Sequence, residues 1–395
     1  MTAVNVRQLV YFIGSFFLHF PSTSTGGSLQ SDASWMQGIS DAMMYRFEGL
    51  GYGIWRNFEK NSPLYSSKYL DIPIREAVGE LRLDVKYAQD KIYLVFKPRL
   101  RGQWESWEED LMIEKDDANS KLFVQEWMAR FELIPRGFIS YGRENIQWGP
   151  AYLTSPSNPF IRDNGKNNPF YEVPGLGYAQ ISWSPSSNWG YHAIANLSKG
   201  ALTGPLEFRD VYAGKLDYFG FGHYGSLVLS QREDGPVVLG GYFGLTLTDA
   251  MLLHAEGNLD DEGEGQVLVG GSYTFGDGST IVLEYYHNGK GCDNFSYKIC
   301  IRQADNELPG ELLGKGNYAF FQYYNGEFFV RPLELTLRGT IGTDDSSGFF
   351  TAVLDYDLSD NVEMFSVLNW YTGGNEDELS SILDYSIMAG VRLSY

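Results

Sequence analysis

From about residue 44 to the last residue, apolar and polar positions alternate along the chain, the period of a strand whose successive side chains point to opposite faces. Around residues 78–87, Leu81, Leu83, Val85 and Tyr87 take one face while Glu80, Arg82, Asp84 and Lys86 take the other. The next segment sets Ile92, Leu94, Phe96 and Leu100 against Lys97, Arg99 and Arg101, across a short polar turn at Gln89-Asp90. Towards the other end Leu333, Leu335 and Leu337 alternate with Glu334, Thr336 and Arg338, and Phe350, Ala352, Leu354 and Tyr356 oppose Thr351, Asp355 and Asp357. No run approaches the roughly 18 continuous apolar residues of a membrane helix.

The alternation predicts strands near 44–57, 76–88, 90–104, 120–133, 136–147, 175–185, 188–199, 212–222, 223–232, 235–247, 249–258, 264–275, 278–287, 316–326, 328–342, 346–357, 360–372 and 382–395. From even to odd strands the connections are short, as at Pro185-Ser186-Ser187, Gly276-Asp277-Gly278 and Leu358-Ser359-Asp360. Several odd-to-even connections are long: 58–75, 105–119, 148–174 and 288–315. Soluble sandwiches seldom repeat strands of this length over such a range. The fold class is therefore all-β: a transmembrane, antiparallel up-and-down barrel of about 18 strands. Short turns face the periplasm, long loops face outside, and both ends of the barrel are periplasmic.

The ends of the chain fit that destination. Arg7 followed by the apolar stretch Leu9 to Phe20, broken at Pro21, has the length of a signal peptide. We divide the chain into 1–26 as signal peptide, 27–43 as a short periplasmic segment and 44–395 as the barrel. The last strand places Tyr385, Ile387, Ala389, Val391, Leu393 and the terminal Tyr395 at every second position. It resembles the C-terminal assembly signal of Gram-negative outer-membrane proteins, which implies the barrel-assembly machinery as a partner, with outer-membrane lipid and lipopolysaccharide around the barrel.

Composition narrows the chemistry. A formal charge of −20 argues against nucleic acid. Cys292 and Cys300 are the two cysteines, close together in a polar stretch, and in an oxidising compartment they staple one loop. The five histidines are scattered and no haem-attachment pattern occurs, so the reading assigns no metal, no cofactor and no catalytic residues. Catalysis has no Ser/His/Asp constellation to rest on.

What remains is the lumen, which at this strand number exceeds what side chains fill. Inward-facing candidates are Arg82, Lys86, Lys97, Arg99, Arg101 and Arg130 amid Glu80, Asp84 and Glu126, joined by Arg338 and Arg392 from strands that neighbour the first after closure. They either line a selective pore or form salt bridges that satisfy the wall. The third long loop, Trp148 to Pro174, carries five prolines and the charges Arg162, Asp163 and Lys166. In its place between the fifth and sixth strands it resembles the inward-folded constriction loop of general porins. The stretch Gly142-Arg143-Glu144-Asn145-Ile146-Gln147-Trp148-Gly149-Pro150, with Ser155 to Phe160 after it, is similar to a region of the Wzi-type capsule-assembly barrels. These resemblances imply a passive channel for ions or small hydrophilic solutes or, alternatively, a closed barrel that binds surface polysaccharide. A sheath around a cytochrome electron conduit is a third alternative, and the oligomeric state stays open.

Overall fold

The computed structural model describes residues 42–62, 72–107, 116–160, 170, 172–173, 175–200, 209–292 and 313–395. The signal peptide, the charged loop residues Arg162, Asp163 and Lys166, and Cys300 lie outside the described residues. The first nine strands are β1 (Met43–Phe58), β2 (Arg75–Gln89), β3 (Ile92–Ser106), β4 (Asp116–Ile134), β5 (Gly137–Glu144), β6 (Leu176–Trp183), β7 (Trp189–Ser198), β8 (Val211–Gly220) and β9 (His223–Arg232). The rest are β10 (Val237–Thr248), β11 (Met251–Asp260), β12 (Gly265–Thr274), β13 (Thr280–Asn288), β14 (Asn317–Asn325), β15 (Leu333–Gly342), β16 (Gly348–Ser359), β17 (Val362–Thr372) and β18 (Leu383–Ser394). Each pairs antiparallel with its sequence neighbours, and β1 pairs with β18, so the 18-stranded sheet closes on itself. Closure removes the free edges that an open sheet would leave unpaired. At the seam, Phe47 and Tyr395 exchange two backbone hydrogen bonds of 2.9 Å.

The expected period sorts the side chains as anticipated. Leu81, Leu227, Leu229, Leu239, Val267, Leu283, Leu368 and Ile387 all lie open on the outer wall, while Glu80, Glu256, Gln266 and Glu284 on the opposite face are buried. A continuous outer band of exposed leucine, valine and isoleucine far exceeds the patches of a water-soluble monomer, and hydrocarbon is the medium that matches it. Aromatic pairs edge this band, including Trp183 stacked on Tyr191 with centroids 5.9 Å apart and Trp55 edge-on to Tyr385 at 5.7 Å.

Connections alternate in length as predicted, with local corrections. The β2–β3 turn is Asp90-Lys91 rather than Gln89-Asp90, because Gln89 already pairs with Ile92 and Asp90 takes the turn's positive φ of 47°. Strand β5 stops at Glu144 instead of 147, where the chain leaves the wall for the interior. Strand β15 begins at Leu333 rather than 328, since Phe328 to Pro332 form a compact knuckle. A bulge at Gln125 between β3 and β4 turns that glutamine inward.

Candidate functional site

The described parts of the connection between β5 and β6, residues 145–160, 170 and 172–173, run inside the barrel, and the inward side chains of the wall hold them at two places. The first clamp is built from carboxylates on β11 and β13. Glu284 accepts hydrogen bonds from the backbone N–H of Tyr152 and of Leu153, both 2.7 Å, and from His254 Nε2 at 2.8 Å. Two strands away, Glu256 accepts from the N–H of Ser157 at 3.1 Å, from its hydroxyl at 2.8 Å and from the hydroxyl of Ser155. Asn258 adds a bond from Nδ2 to the carbonyl of Pro156. Such charge-assisted bonds are roughly twice as strong as neutral ones. They also supply partners to backbone N–H groups that an irregular segment in a barrel interior would otherwise leave bare.

The Trp148-Gly149-Pro150 step has its physical reason here. Gly149 adopts φ +86°, and a Cβ at that position would lie 2.3 Å from Glu256 Oε2. Only glycine combines that backbone with so close an approach. Trp148 packs edge-on against Phe160 at 5.6 Å, Phe160 against Tyr178 at 5.0 Å, and Lys215 lies 5.3 Å over the Trp148 ring. These residues join an apolar cluster on the inner wall of β6 to β9. Ala151 and Leu153 enter a second cluster with Leu268, Val282, Tyr286, Tyr318 and Phe320 on β12 to β14.

The second clamp lies towards β2, β3 and β4 and grips the far end of the loop. Arg99, 2% exposed, donates from Nε and Nη2 to the two carboxylate oxygens of Glu172 at 2.7 and 2.6 Å, and also from Nη2 to Asp84 at 2.8 Å. Arg82 reaches the carbonyl of Phe170 at 3.2 Å, and Gln125 donates to the carbonyl of Val173 at 2.9 Å. Phe170 itself stacks on Phe365 of β17 with centroids 3.7 Å apart, joining a third apolar cluster on β1 and β16 to β18. The loop thus touches the wall on opposite arcs: carboxylates hold its backbone N–H groups at 152, 153 and 157, and arginines hold its acceptors at 170 and 172.

The sequence-derived pore residues fall into distinct settings. Arg82 pairs with Glu48 at 2.9 Å and Glu80 at 2.7 Å, Arg101 faces Glu76 at 3.4 Å and Glu80 at 3.9 Å, and Lys97 pairs with Glu126. Arg392 pairs with Glu363, and Arg130 lies 5.6 Å over the Tyr93 ring. Lys86 is exposed on β2 towards the short-turn end. Arg338 donates from Nε to Gln322 at 2.7 Å, while its Nη1 is buried without a hydrogen-bond partner, as is Asp355 Oδ1. Arg82, Lys97, Arg99 and Arg101 are therefore matched by carboxylates rather than forming a bare basic wall. Of the proposed constriction residues, only Trp148 lies among the described ones, and it packs inside the barrel.

Sequence reading assigned nothing to Glu256, Glu284, His254 and Glu172, and took Ser155 and Ser157 only as part of the stretch similar to Wzi-type barrels. The signal available was the wholly polar inward row His254, Glu256, Asn258 and Asp260 on β11. Nothing local says that this row meets a loop about 100 residues earlier in the chain.

A scan against protein-family models returns no match, and neither does a search of curated proteins. Solved structures do match. The crystal structure of OccAB2 from Acinetobacter baumannii aligns with a TM-score of 0.57 at 9% identity, covering 90% of this chain and 98% of that one. OccK7 (OpdD) of Pseudomonas aeruginosa aligns at 0.56 with 10% identity, covering 89% of this chain and 98% of its own. OprD of the same organism also aligns at 0.56, with 11% identity over 90% of this chain and 96% of its own. At such identities the likeness is one of architecture, and this chain has the closed eighteen-strand, antiparallel barrel fold of Gram-negative outer-membrane porins.

Proposed function

We propose that this chain is a passive outer-membrane channel for small hydrophilic solutes and ions, constricted by the β5–β6 loop. The observation that carries the reading is the loop clamped from two opposite arcs inside a wall that is polar inward and apolar outward. A barrel of this strand number encloses more space than its own side chains fill, so an anchored loop narrows the passage. Short turns face the periplasm, and the C-terminal strand is the segment read by the assembly machinery.

The lumen favours cations or neutral polar solutes. Arginines of β1 to β3 are offset by Glu48, Glu76, Glu80, Asp84 and Glu172, whereas on β15 to β18 Glu334, Asp355 and Glu363 outnumber Arg338 and Arg392. Uncompensated negative charge in a confined, low-dielectric space concentrates cations. A cytochrome sheath needs a lumen free for a second protein, and the clamped loop argues against it. The polysaccharide alternative needs a sealed lumen.

Purified protein in a planar bilayer tests this directly. Stepwise conductance is expected, and it should rise when residues 155–168 are deleted. Folded, heat-modifiable protein that inserts without conductance, and whose deletion variant conducts no better, would transfer the assignment to the closed, polysaccharide-binding barrel. The same reading places a Cys292–Cys300 bridge in the external β13–β14 connection, contributing about 2–3 kcal/mol in the chain-entropy model. No cysteine among the described residues is free. Peptide mapping without reductant should recover one linked peptide pair, and two separately alkylatable thiols would refute the bridge.

A further inference from the structure

The β14–β15 connection, residues 326–332, is the longest at the short-turn end of the barrel and is built unlike its counterparts. Asp90-Lys91, Phe221-Gly222 and Asp249-Ala250 are simple two-residue turns. Here the chain instead folds into a knuckle tied by its own backbone. Phe328 N–H donates to Leu333 O at 2.8 Å, Val330 N–H to Phe328 O at 2.8 Å, and Leu333 N–H to Val330 O at 3.0 Å. The bond from Val330 to Phe328 closes a γ-turn centred on Phe329, whose φ is +62°. That conformation is rare and strained, and a bulky aromatic residue is among the least suited to it.

The strained residue is also the most exposed apolar residue of the knuckle. Phe329 is 87% exposed and Val330 50%, with the Phe328 ring 4.2 Å from that of Phe329. Arg331 is open to solvent beside Glu327, 3.9 Å away. Strain retained at an exposed aromatic tip suggests a role for the tip. Its occupant follows from what it adjoins. Asp357 N–H donates to Pro332 O at 2.9 Å, which fixes the knuckle against the end of β16. There the outward residues Leu354, Tyr356 and Leu358 carry the exposed apolar band up to the turn.

We infer that the 326–332 knuckle is a membrane-interface anchor. Phe329 and Val330 insert at the boundary between headgroups and acyl chains in the leaflet at the short-turn end, and Arg331 lies beside lipid phosphates. Aromatic side chains favour that boundary, and a cation beside them meets the anionic headgroups. Backbone N–H groups already bonded within the knuckle tolerate the loss of water that insertion brings. The inference rests on the membrane-spanning reading of the barrel.

Environment-sensitive fluorophores on single cysteines test it, each introduced with Cys292 and Cys300 replaced by serine. The full chain carries Phe329→Cys or Val330→Cys, with Leu283→Cys on the outer wall and Ser187→Cys in another short turn as references. Reconstitution is into phosphatidylethanolamine–phosphatidylglycerol vesicles containing lipid brominated near the headgroup. Several-fold stronger bromolipid quenching at 329 and 330 than at 187, with weak iodide quenching, is the expected result. Iodide quenching without bromolipid quenching overturns the anchor and leaves an aqueous tip. Protection from both quenchers also overturns it, in favour of cover by protein. If Leu283→Cys is itself untouched by bromolipid, the membrane-spanning reading fails and the anchor with it; quenching at 283 but not at 329 or 330 removes the anchor alone.

Discussion

Single residues in this barrel act through what they are forced to face. Glu378, in the β17–β18 connection outside the wall, is 6% exposed and accepts from the N–H of Gly314 at 2.5 Å and from the Tyr318 hydroxyl. Burial pushes its carboxyl up to about 7, and nearby Asp345 adds to the shift while the hydrogen bonds oppose it. A carboxyl raised in the folded state contributes least when ionised. Loop docking is therefore strongest below its ordinary value near 4.3 and weakens as pH rises through that value to about 7. At roughly 1.4 kcal/mol per pH unit the loss approaches about 4 kcal/mol. Amide exchange at Gly314 and Lys315, corrected for intrinsic rate, should show less protection at pH 8 than at pH 5.5, and Glu378→Gln should flatten the difference. Identical profiles for the two proteins would exclude Glu378 as the cause. In the sequence Glu378 reads as part of a solvated acidic run with Glu376 and Asp377, because nothing local reveals the tyrosine 60 residues away that covers it.

At the scale of one element, the β5–β6 loop is held by groups of opposite sign at its two ends, and this decides how it yields. Replacing Glu256 and Glu284 together by glutamine removes the charge from the bonds to Ser155, Ser157, Tyr152 and Leu153. Each such bond contributes about 1.5–3 kcal/mol, and the amides retain only part of it. Arg99→Gln releases Glu172 and leaves it without its bidentate partner; Glu172 is 30% exposed, so the loss falls below the about 3–5 kcal/mol of a fully buried pair. Either variant should give a larger and noisier single-channel conductance than the native protein. Arg101→Gln should not, because Arg101 holds no described loop residue and meets its carboxylates at 3.4 and 3.9 Å. Equal conductance in all four proteins would show that the clamps do not govern the passage. In the sequence the loop resembles an inward-folded one by its place alone, and its prolines speak only to its restricted freedom. Its anchoring was not legible: Arg99 reads as one more inward cation of β3, and only the folded loop brings Glu172 to it.

Across the whole molecule, strand number, face and connection length were readable because a barrel wall repeats one local rule, and a slip by one residue would turn every leucine of a strand inward. Charge balance was not readable, since it depends on which strands become neighbours. Closure sets β18 beside β1, and the β1–β2 pairing brings Glu48 opposite Arg82, so a row that looks basic along β2 and β3 is neutralised across them. The unbalanced charge lies elsewhere, on the inner wall of β15 to β18. Glu334, Asp355 and Glu363 there outnumber Arg338 and Arg392; Glu334 accepts from the Tyr324 hydroxyl at 3.0 Å, and Arg392 is engaged by Glu363. Fixed charge of one sign raises the local concentration of the opposite ion, so native channels in a potassium chloride gradient should show a cation-selective reversal potential. Glu334→Gln with Asp355→Asn should move that potential towards the anion side, whereas Arg101→Gln should move it further towards cations. The two shifts must have opposite signs, because they remove opposite charges from the same lumen. Screening shortens the reach of such charges to about 8 Å at physiological salt, so both shifts should shrink as salt is raised. A native channel already selective for anions, or a double variant that becomes more cation-selective, would show that ions pass along a different wall.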